Sequence, residues 1–165
     1  DSVIVTVYPT PTVTMSADST EITEGASATL TWTSTDATSA SINQGIGSVA
    51  VNGSTTVSPA VTTTYTITVT GSGGTAEDSV AITVNQLPNV SISASPNNIA
   101  SAASSTLSWS SSNATSVSID QGVDTGGYLS GSASVSPSVT TTYTVTATND
   151  YGSTTDSVTI MVEEP

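Results

Sequence analysis

Apolar and polar residues alternate along most of this chain with a period of two. Leu30 and Trp32 alternate with threonines, and Ile67 and Val69 do the same further along. Because successive side chains of a β-strand point to opposite faces, this pattern predicts short strands with one buried and one solvent-facing side. No segment has the apolar spacing of an amphipathic helix. The pattern therefore predicts an all-β chain.

The pattern occurs twice. Trp32 and Trp109 are 77 positions apart (109 − 32 = 77), and Tyr65 and Tyr143 are 78 apart (143 − 65 = 78). A third, partial copy opens the chain, since DSVIVTV at 1–7 matches DSVAITV at 78–84. These matches indicate a tandem repeat. They predict a first module at 9–86, a second at 87–165, and at 1–8 the last strand of a preceding module or a strand donated to another chain.

Each module is expected to contain seven short strands separated by turn signals, which is typical of an antiparallel two-sheet sandwich. Asn52-Gly53 predicts a type I′ hairpin turn between the strand at 49–51 and the strand that follows. A short, proline-containing linker is expected around 85–88. A domain this small buries only about 60% of its unfolded surface, so we expect Trp32 and Trp109 to supply a large share of each core.

These residues resemble the tandem immunoglobulin-like and fibronectin-type-III-like modules of bacterial secreted and cell-surface proteins. The resemblance rests on Leu-Thr-Trp at 30–32, Leu-Ser-Trp at 107–109, and the segments 59–69 and 137–147. Tyr65 and Tyr143 look like the tyrosine corner of such sandwiches. The resemblance covers nearly the whole chain. It implies two tandem seven-stranded antiparallel immunoglobulin-like β-sandwiches, an extracellular or cell-surface location, and a spacer, stalk or adhesive role.

Composition excludes several classes of function. The 165 residues include 13 acids and no Lys, Arg, His or Cys, for a formal net charge of −13. Without cations the chain has nothing to neutralise phosphates, so we expect no nucleic-acid binding and no adsorption to anionic lipid. No apolar run approaches the roughly 18 residues that a membrane-spanning segment needs, so no membrane insertion is expected. The 31 Ser and 33 Thr fit a polar β-protein.

The sequence predicts a chain that is not an enzyme. Imidazole bases, amine nucleophiles and thiolates are all absent. Asp124-Thr125-Gly126 matches the aspartic-protease triplet, but that chemistry needs two such carboxylates and the chain has no second copy. A carboxylate pair of the glycosidase kind among Asp18, Glu21 and Glu24 is interpreted instead as a solvated acidic edge.

Calcium is the one candidate cofactor, because carboxylate and carbonyl oxygens are its preferred ligands. Asp120 and Asp124 flank a loop that contains glycine, and Asp150 lies in the predicted last hairpin loop of the second module. These three residues are the candidate metal ligands. The alternative interpretation is the ordinary turn chemistry of Asp and Asn.

Three hypotheses for function come from the sequence. The first is a structural spacer or stalk in an elongated extracellular or cell-surface protein, whose partners are neighbouring modules of the same chain. The second is a subunit of a self-assembling filament or sheath, in which residues 1–7 pair with an identical subunit. The third is a module that binds a glycan or another surface ligand through the loop aromatics Tyr8, Tyr128 and Tyr151.

Overall fold

The computed structural model describes residues 2–163. The chain forms two compact units that divide between Asn85 and Gln86, called module 1 and module 2 below. Within the described residues, every regular secondary-structure element is a β-strand. In that part of the chain, no helix of the length and apolarity needed to cross a membrane is found.

Module 1 is a sandwich of two sheets. Its strands are β1 (Thr12–Ala17), β2 (Glu21–Thr23), β3 (Ala28–Thr35), β4 (Ser39–Ile42), β5 (Gly47–Val49), β6 (Gly53–Val57), β7 (Thr63–Gly71) and β8 (Gly74–Asn85). One sheet has the order β1-β3-β6 and the other the order β2-β8-β7-β4-β5. The buried residues of both sheets form one core between them.

Module 2 repeats this arrangement with one strand fewer. Its strands are β9 (Asn89–Ser95), β10 (Asn98–Ala100), β11 (Ser105–Ser112), β12 (Ser116–Ile119), β13 (Gly131–Val135), β14 (Thr141–Asn149) and β15 (Gly152–Glu163). One sheet has the order β13-β11-β9 and the other the order β10-β15-β14-β12. The predicted tandem sandwiches are therefore confirmed; module 2 has the seven strands expected of each module, and module 1 has an eighth because β5 pairs with β4.

The first strand of each module divides between the two sheets. In module 1 the chain leaves β1, which pairs with β3, and continues as β2, which runs parallel to β8. In module 2 it passes from β9 to β10, parallel to β15, through a cis peptide bond between Ser95 and Pro96. The sequence predicted only antiparallel pairing, because a three-residue strand leaves no readable alternation.

The predicted hairpin turn at Asn52-Gly53 is wrong. The strand before it, β5, pairs with β4, whereas β6 begins at Gly53 and pairs with β3 in the other sheet. The chain therefore crosses between sheets at this point instead of reversing within one. The Asn-Gly dipeptide does not distinguish a hairpin within one sheet from a connection between two sheets, since both need a tight turn of the backbone.

Both tryptophans lie in the cores, as predicted. Trp32 and Trp109 are 3% and 5% exposed. Each faces a glycine on the neighbouring strand, Gly53 on β6 and Gly131 on β13. A Cβ atom placed at these glycines would lie 3.3 Å and 2.9 Å from the Cζ2 atom of the respective indole. Because glycine has no side chain, each indole ring can lie directly against the backbone of the paired strand.

The indole nitrogens are satisfied inside the modules. Trp32 Nε1 donates a hydrogen bond to the carbonyl of Ala50 at 2.8 Å, and Trp109 Nε1 donates to the carbonyl of Tyr128 at 3.3 Å. Both acceptors belong to the segment that crosses between the sheets. The tryptophans therefore hold this segment as well as filling the core.

Alkaline pH is expected to destabilise both modules. Burial raises the pKa of Tyr65 above its usual value of 10.0. The pKa of Tyr143 is raised mainly by burial and, to a smaller extent, by the negative charge of Asp120. A raised pKa in the folded state means that the stabilisation is complete below pH 10.0 and is lost as the pH rises through the folded-state value. Unfolding by urea from pH 8 to 12 should show this loss, which we expect Y65F and Y143F to reduce. An exposed control, Y151F, should leave it unchanged, and an equal effect of all three substitutions would contradict the assignment.

Candidate functional site

The two sheets of module 1 are tied together by a carboxylate. Asp78, on β8, accepts a hydrogen bond from the backbone N–H of Met15, on β1 of the opposite sheet, at 2.7 Å. Its other oxygen accepts the N–H of Ser79 at 2.8 Å. Hydrogen bonds to an ionised acceptor are among the stronger ones in proteins. Asp78 is thus a non-covalent link between sheets in a chain that has no cysteine.

Module 2 repeats this link. Asp156, on β15, accepts the N–H of Ile92 on β9 at 2.9 Å and the N–H of Ser157 at 2.9 Å. Both aspartates are half-buried, and the chain contains no Lys, Arg or His side chain to pair with them. Backbone amides therefore supply the compensation for these charges.

In module 2, the hairpin between β14 and β15 holds the segment through which the chain enters the module. Asn149 Nδ2 donates to the carbonyls of Gln86 at 2.9 Å and Asn113 at 2.8 Å. Thr154 Oγ1 donates to the carbonyl of Pro88 at 2.7 Å. The linker that the sequence predicted around 85–88 is thus anchored on module 2 through its backbone.

Module 1 holds its own entry segment at the corresponding hairpin. The backbone of Tyr8 and Pro9 passes so close to Gly73, between β7 and β8, that a Cβ at Gly73 would overlap the carbonyl oxygen of Pro9. Glycine is required there because any side chain would push the entering segment away. In each module, the hairpin between the last two strands therefore contacts the segment that leads into the first strand.

Residues 2–7 form no strand within the described structure. Four apolar side chains of this segment are between 79% and 89% exposed: Val3, Ile4, Val5 and Val7. Burying such a side chain is worth on the order of 1.5–3 kcal/mol. A segment with this alternation and this exposure is suited to pairing with another sheet.

The candidate calcium ligands lie in the loops where the sequence placed them. Asp120 follows β12 and its Oδ1 atom accepts the N–H of Thr144 at 2.8 Å. Asp124 Oδ1 accepts the N–H of Gly126 at 2.8 Å, an Asx turn. Asp150 lies at the exposed tip of the β14–β15 hairpin. Within residues 2–163, no three acidic side chains are grouped so as to hold a metal, and calcium binding stays a prediction.

The other acidic candidates, Asp18, Glu21 and Glu24, lie exposed on the surface of module 1. Asp18 is exposed, and its hydrogen bond from the N–H of Thr29, at 2.8 Å, lowers its pKa below the usual 3.8. Glu21 begins β2. Tyr128 and Tyr151 are 69% and 50% exposed on different loops of module 2. Glycan binding by the tyrosines stays a prediction.

The sequence did not lead us to predict that Asp78 and Asp156 link the two sheets of their modules. A signal was present, because Asp-Ser-Val occurs at 78–80 and 156–158, in the last strand of each module, and again in the sequence at 1–3. The alternation places such an aspartate at an inward position of its strand. Its partner could not be found from sequence, since Met15 is 63 residues away on a strand of the other sheet.

No protein-family model matches the chain, and no curated protein does. Solved structures do. One is a fragment of titin, at 16% identity over 93% of this chain and 99% of that chain, with a TM-score of 0.46. Another is immunoglobulin domains 1–4 of Sidekick-1, at 12% identity over 93% and 49%, with a TM-score of 0.49. A third is extracellular domains 3–5 of Drosophila OTK, at 17% identity over 93% and 62%, with a TM-score of 0.45. The strand order of each module assigns the fold: this chain consists of two tandem immunoglobulin-like β-sandwiches.

Proposed function

We propose that this chain is a pair of non-catalytic spacer modules from an elongated extracellular or cell-surface protein. The observation that carries the proposal is the repeated anchoring of an entry segment. In module 1 the backbone of Tyr8 and Pro9 packs closely against Gly73, and in module 2 the carbonyls of Gln86 and Pro88 accept hydrogen bonds from the last hairpin and strand. A module that fixes the chain entering it can be added to the end of another without a long free linker.

The chemistry of the side chains supports a role without catalysis. The chain has carboxylates and hydroxyls as its reactive groups, with no His, Lys or Cys. The half-buried carboxylates Asp78 and Asp156 are engaged with backbone amides that connect the sheets. Their role is to hold strands together.

An extracellular location fits the absence of Lys and Arg. Without these residues the chain contains no cleavage site for trypsin-like proteases. The outward faces of the strands carry mostly Ser and Thr, as on β7 and β14. Such a surface suits a protein exposed to proteases outside the cell.

Residues 1–7 belong, in this proposal, to the last strand of a preceding module. They match 78–84, and their valines correspond to Val80, Ile82 and Val84, of which Ile82 and Val84 are buried on β8. In a longer chain the exposed valines would be covered by that preceding module.

This assignment is tested by adding the missing part of a module. Residues 9–77 are fused directly ahead of Asp1, so that residues 1–7 take the place of 78–84. We expect a third folded unit, seen in calorimetry as heat absorption about half as large again as in the original chain, since unfolding enthalpy scales with chain length. A matched variant of the extended chain, with V5D and V7D, should lose that unit alone. Absence of the third unit in the unaltered extended chain would contradict the proposal.

The exposed valines also favour a second candidate, a filament subunit that donates residues 1–7 to an identical subunit. In that case the chain polymerises, and removal of residues 1–8 dissolves the polymer. Sedimentation of both chains over a wide concentration range distinguishes the candidates. A monomer at every concentration supports the spacer and excludes the filament.

A further inference from the structure

The two modules differ at one edge of the larger sheet. In module 1, β4 is covered by β5, with Ala40 opposite Val49 and Ile42 opposite Gly47. In module 2, β12 pairs with β14 on one side, and no strand of residues 2–163 pairs with its other side. The strand β12 is therefore an open edge where its counterpart is closed.

The local sequence explains this difference. Asp124-Thr125-Gly126-Gly127 lies where module 1 has β5. Gly126 and Gly127 have φ values of 61° and 76°, in the left-handed region that strand residues do not adopt. The loop is bonded to the edge through Thr125, whose Oγ1 donates to the carbonyl of Val117 at 3.1 Å.

The residues of β12 include neither lysine nor proline, so the protection of this edge is limited to the short length of the strand and the hydrogen bond from Thr125. Exposed edges of natural sheets carry lysine, proline or a bulge that prevents another strand from adding. The sequence of β12 is Ser-Val-Ser-Ile, with Val117 and Ile119 buried and Ser116 and Ser118 exposed. An extended peptide can therefore continue the ladder through backbone hydrogen bonds once it displaces the Thr125 hydroxyl from the carbonyl of Val117.

A groove beyond the end of β12, lined by the loop that follows this strand and not by Ser116–Ile119, offers room for a side chain of an added strand that extends past Ile119. It has a volume of about 420 Å³, and its lining includes Val123, Asp124, Val135, Pro137 and Tyr143. In module 1, Val49 of the covering strand packs against the core. An added strand in module 2 would accordingly place β-branched apolar side chains inward.

Charge determines which partner fits. The chain carries a net charge of −13 without one Lys, Arg or His, so at this edge charge favours a cationic segment over a second copy. Module 2 adds charge near this edge, because Asp120 and Asp124 stand where module 1 has Asn43 and Gly47. We propose that the open edge of β12 binds an extended basic segment of another protein, with β-branched residues inward and Lys or Arg outward. This interaction goes beyond the spacer function and does not depend on it.

The test uses a short peptide of alternating lysine and valine, titrated into the isotope-labelled chain and followed by amide NMR shifts. A twin peptide has glutamate in place of lysine. We expect saturable binding of the lysine peptide with shifts centred on 116–127, at least about tenfold weaker in about 0.5 M salt than at low salt. The glutamate twin should not bind. Equal binding of the two peptides would overturn the proposal.

Two variants separate edge binding from general attraction to an acidic chain. S118K puts a positive charge on the open edge, whereas S41K makes the same change on β4, which β5 covers. We expect S118K to weaken binding at least about tenfold and S41K to leave it within about twofold, because like charge repels only at the docking edge.

The second variant closes the edge. Residues 124–130 are replaced by 47–52, which form the covering strand and its continuation in module 1. We expect peptide binding to disappear while the melting temperature of the variant shows that it is folded. Undiminished binding by S118K and by this variant would overturn the proposal. Self-association of the chain that this variant abolishes would assign the edge to a second copy and would also overturn it.

Discussion

Replacing Trp109 by alanine is expected to lower the free energy of unfolding of module 2 by about 3–5 kcal/mol. The indole is 5% exposed, fits over Gly131 and donates to the carbonyl of Tyr128. Its removal leaves a cavity and frees the segment that crosses between the sheets. Since small domains are stable by only about 5–15 kcal/mol, much of the stability of module 2 should be lost.

The measurement is calorimetric unfolding of the whole chain, which compares W109A with W32A. We expect the first to lower the melting temperature of module 2 and the second that of module 1, where Trp32 has the same environment. W109F serves as an intermediate, because it keeps an aromatic ring but loses the Nε1 hydrogen bond. A change below about 1 kcal/mol in W109A would show that the core does not depend on this ring.

Replacing Asp78 by asparagine is expected to lower the free energy of unfolding of module 1 by about 1.5–3 kcal/mol, the range for hydrogen bonds to charged groups. Asparagine has one acceptor oxygen where aspartate has two, so either the N–H of Met15 or that of Ser79 faces an amide group that cannot accept it. The link between the sheets is then weakened. Urea unfolding at neutral pH measures the effect.

The neighbouring residue offers a matched control. Glu77 is exposed and accepts a hydrogen bond from Thr68 Oγ1 on the surface, so E77Q removes the same charge without touching the opposite sheet. We expect E77Q to change the free energy of unfolding by less than about 0.5 kcal/mol. If D78N and E77Q behave alike, net charge explains the result and the inter-sheet link does not stabilise the fold.

Much of the architecture could be predicted from alternation and repetition. Leu30 and Trp32, and their counterparts Leu107 and Trp109, are buried as their spacing indicates. The hairpin at 149–152 also lies where the second repeat predicts it. These features are local, because a strand buries every second residue whatever its neighbours are.

Connections between sheets could not be predicted in the same way. Asn52-Gly53 reads as a hairpin turn, and only the pairing of β6 with β3 shows that the chain changes sheet there. The role of Gly131 also depends on which strand lies beside Trp109. Both depend on contacts between strands that are separate in the sequence.

Period-two alternation and the 77- to 78-residue offset between repeats are enough to specify a β-protein of two similar modules, each built around a tryptophan and without Lys, Arg or His. Which strand edges are covered depends on how the strands pack together in each module. The packing covers β4 with β5 and leaves β12 as the last strand of its sheet. It also brings Asp78 to Met15 across the sandwich. The reason is physical: a strand's pattern specifies which face it buries, whereas its neighbours are chosen by the packing of the whole module.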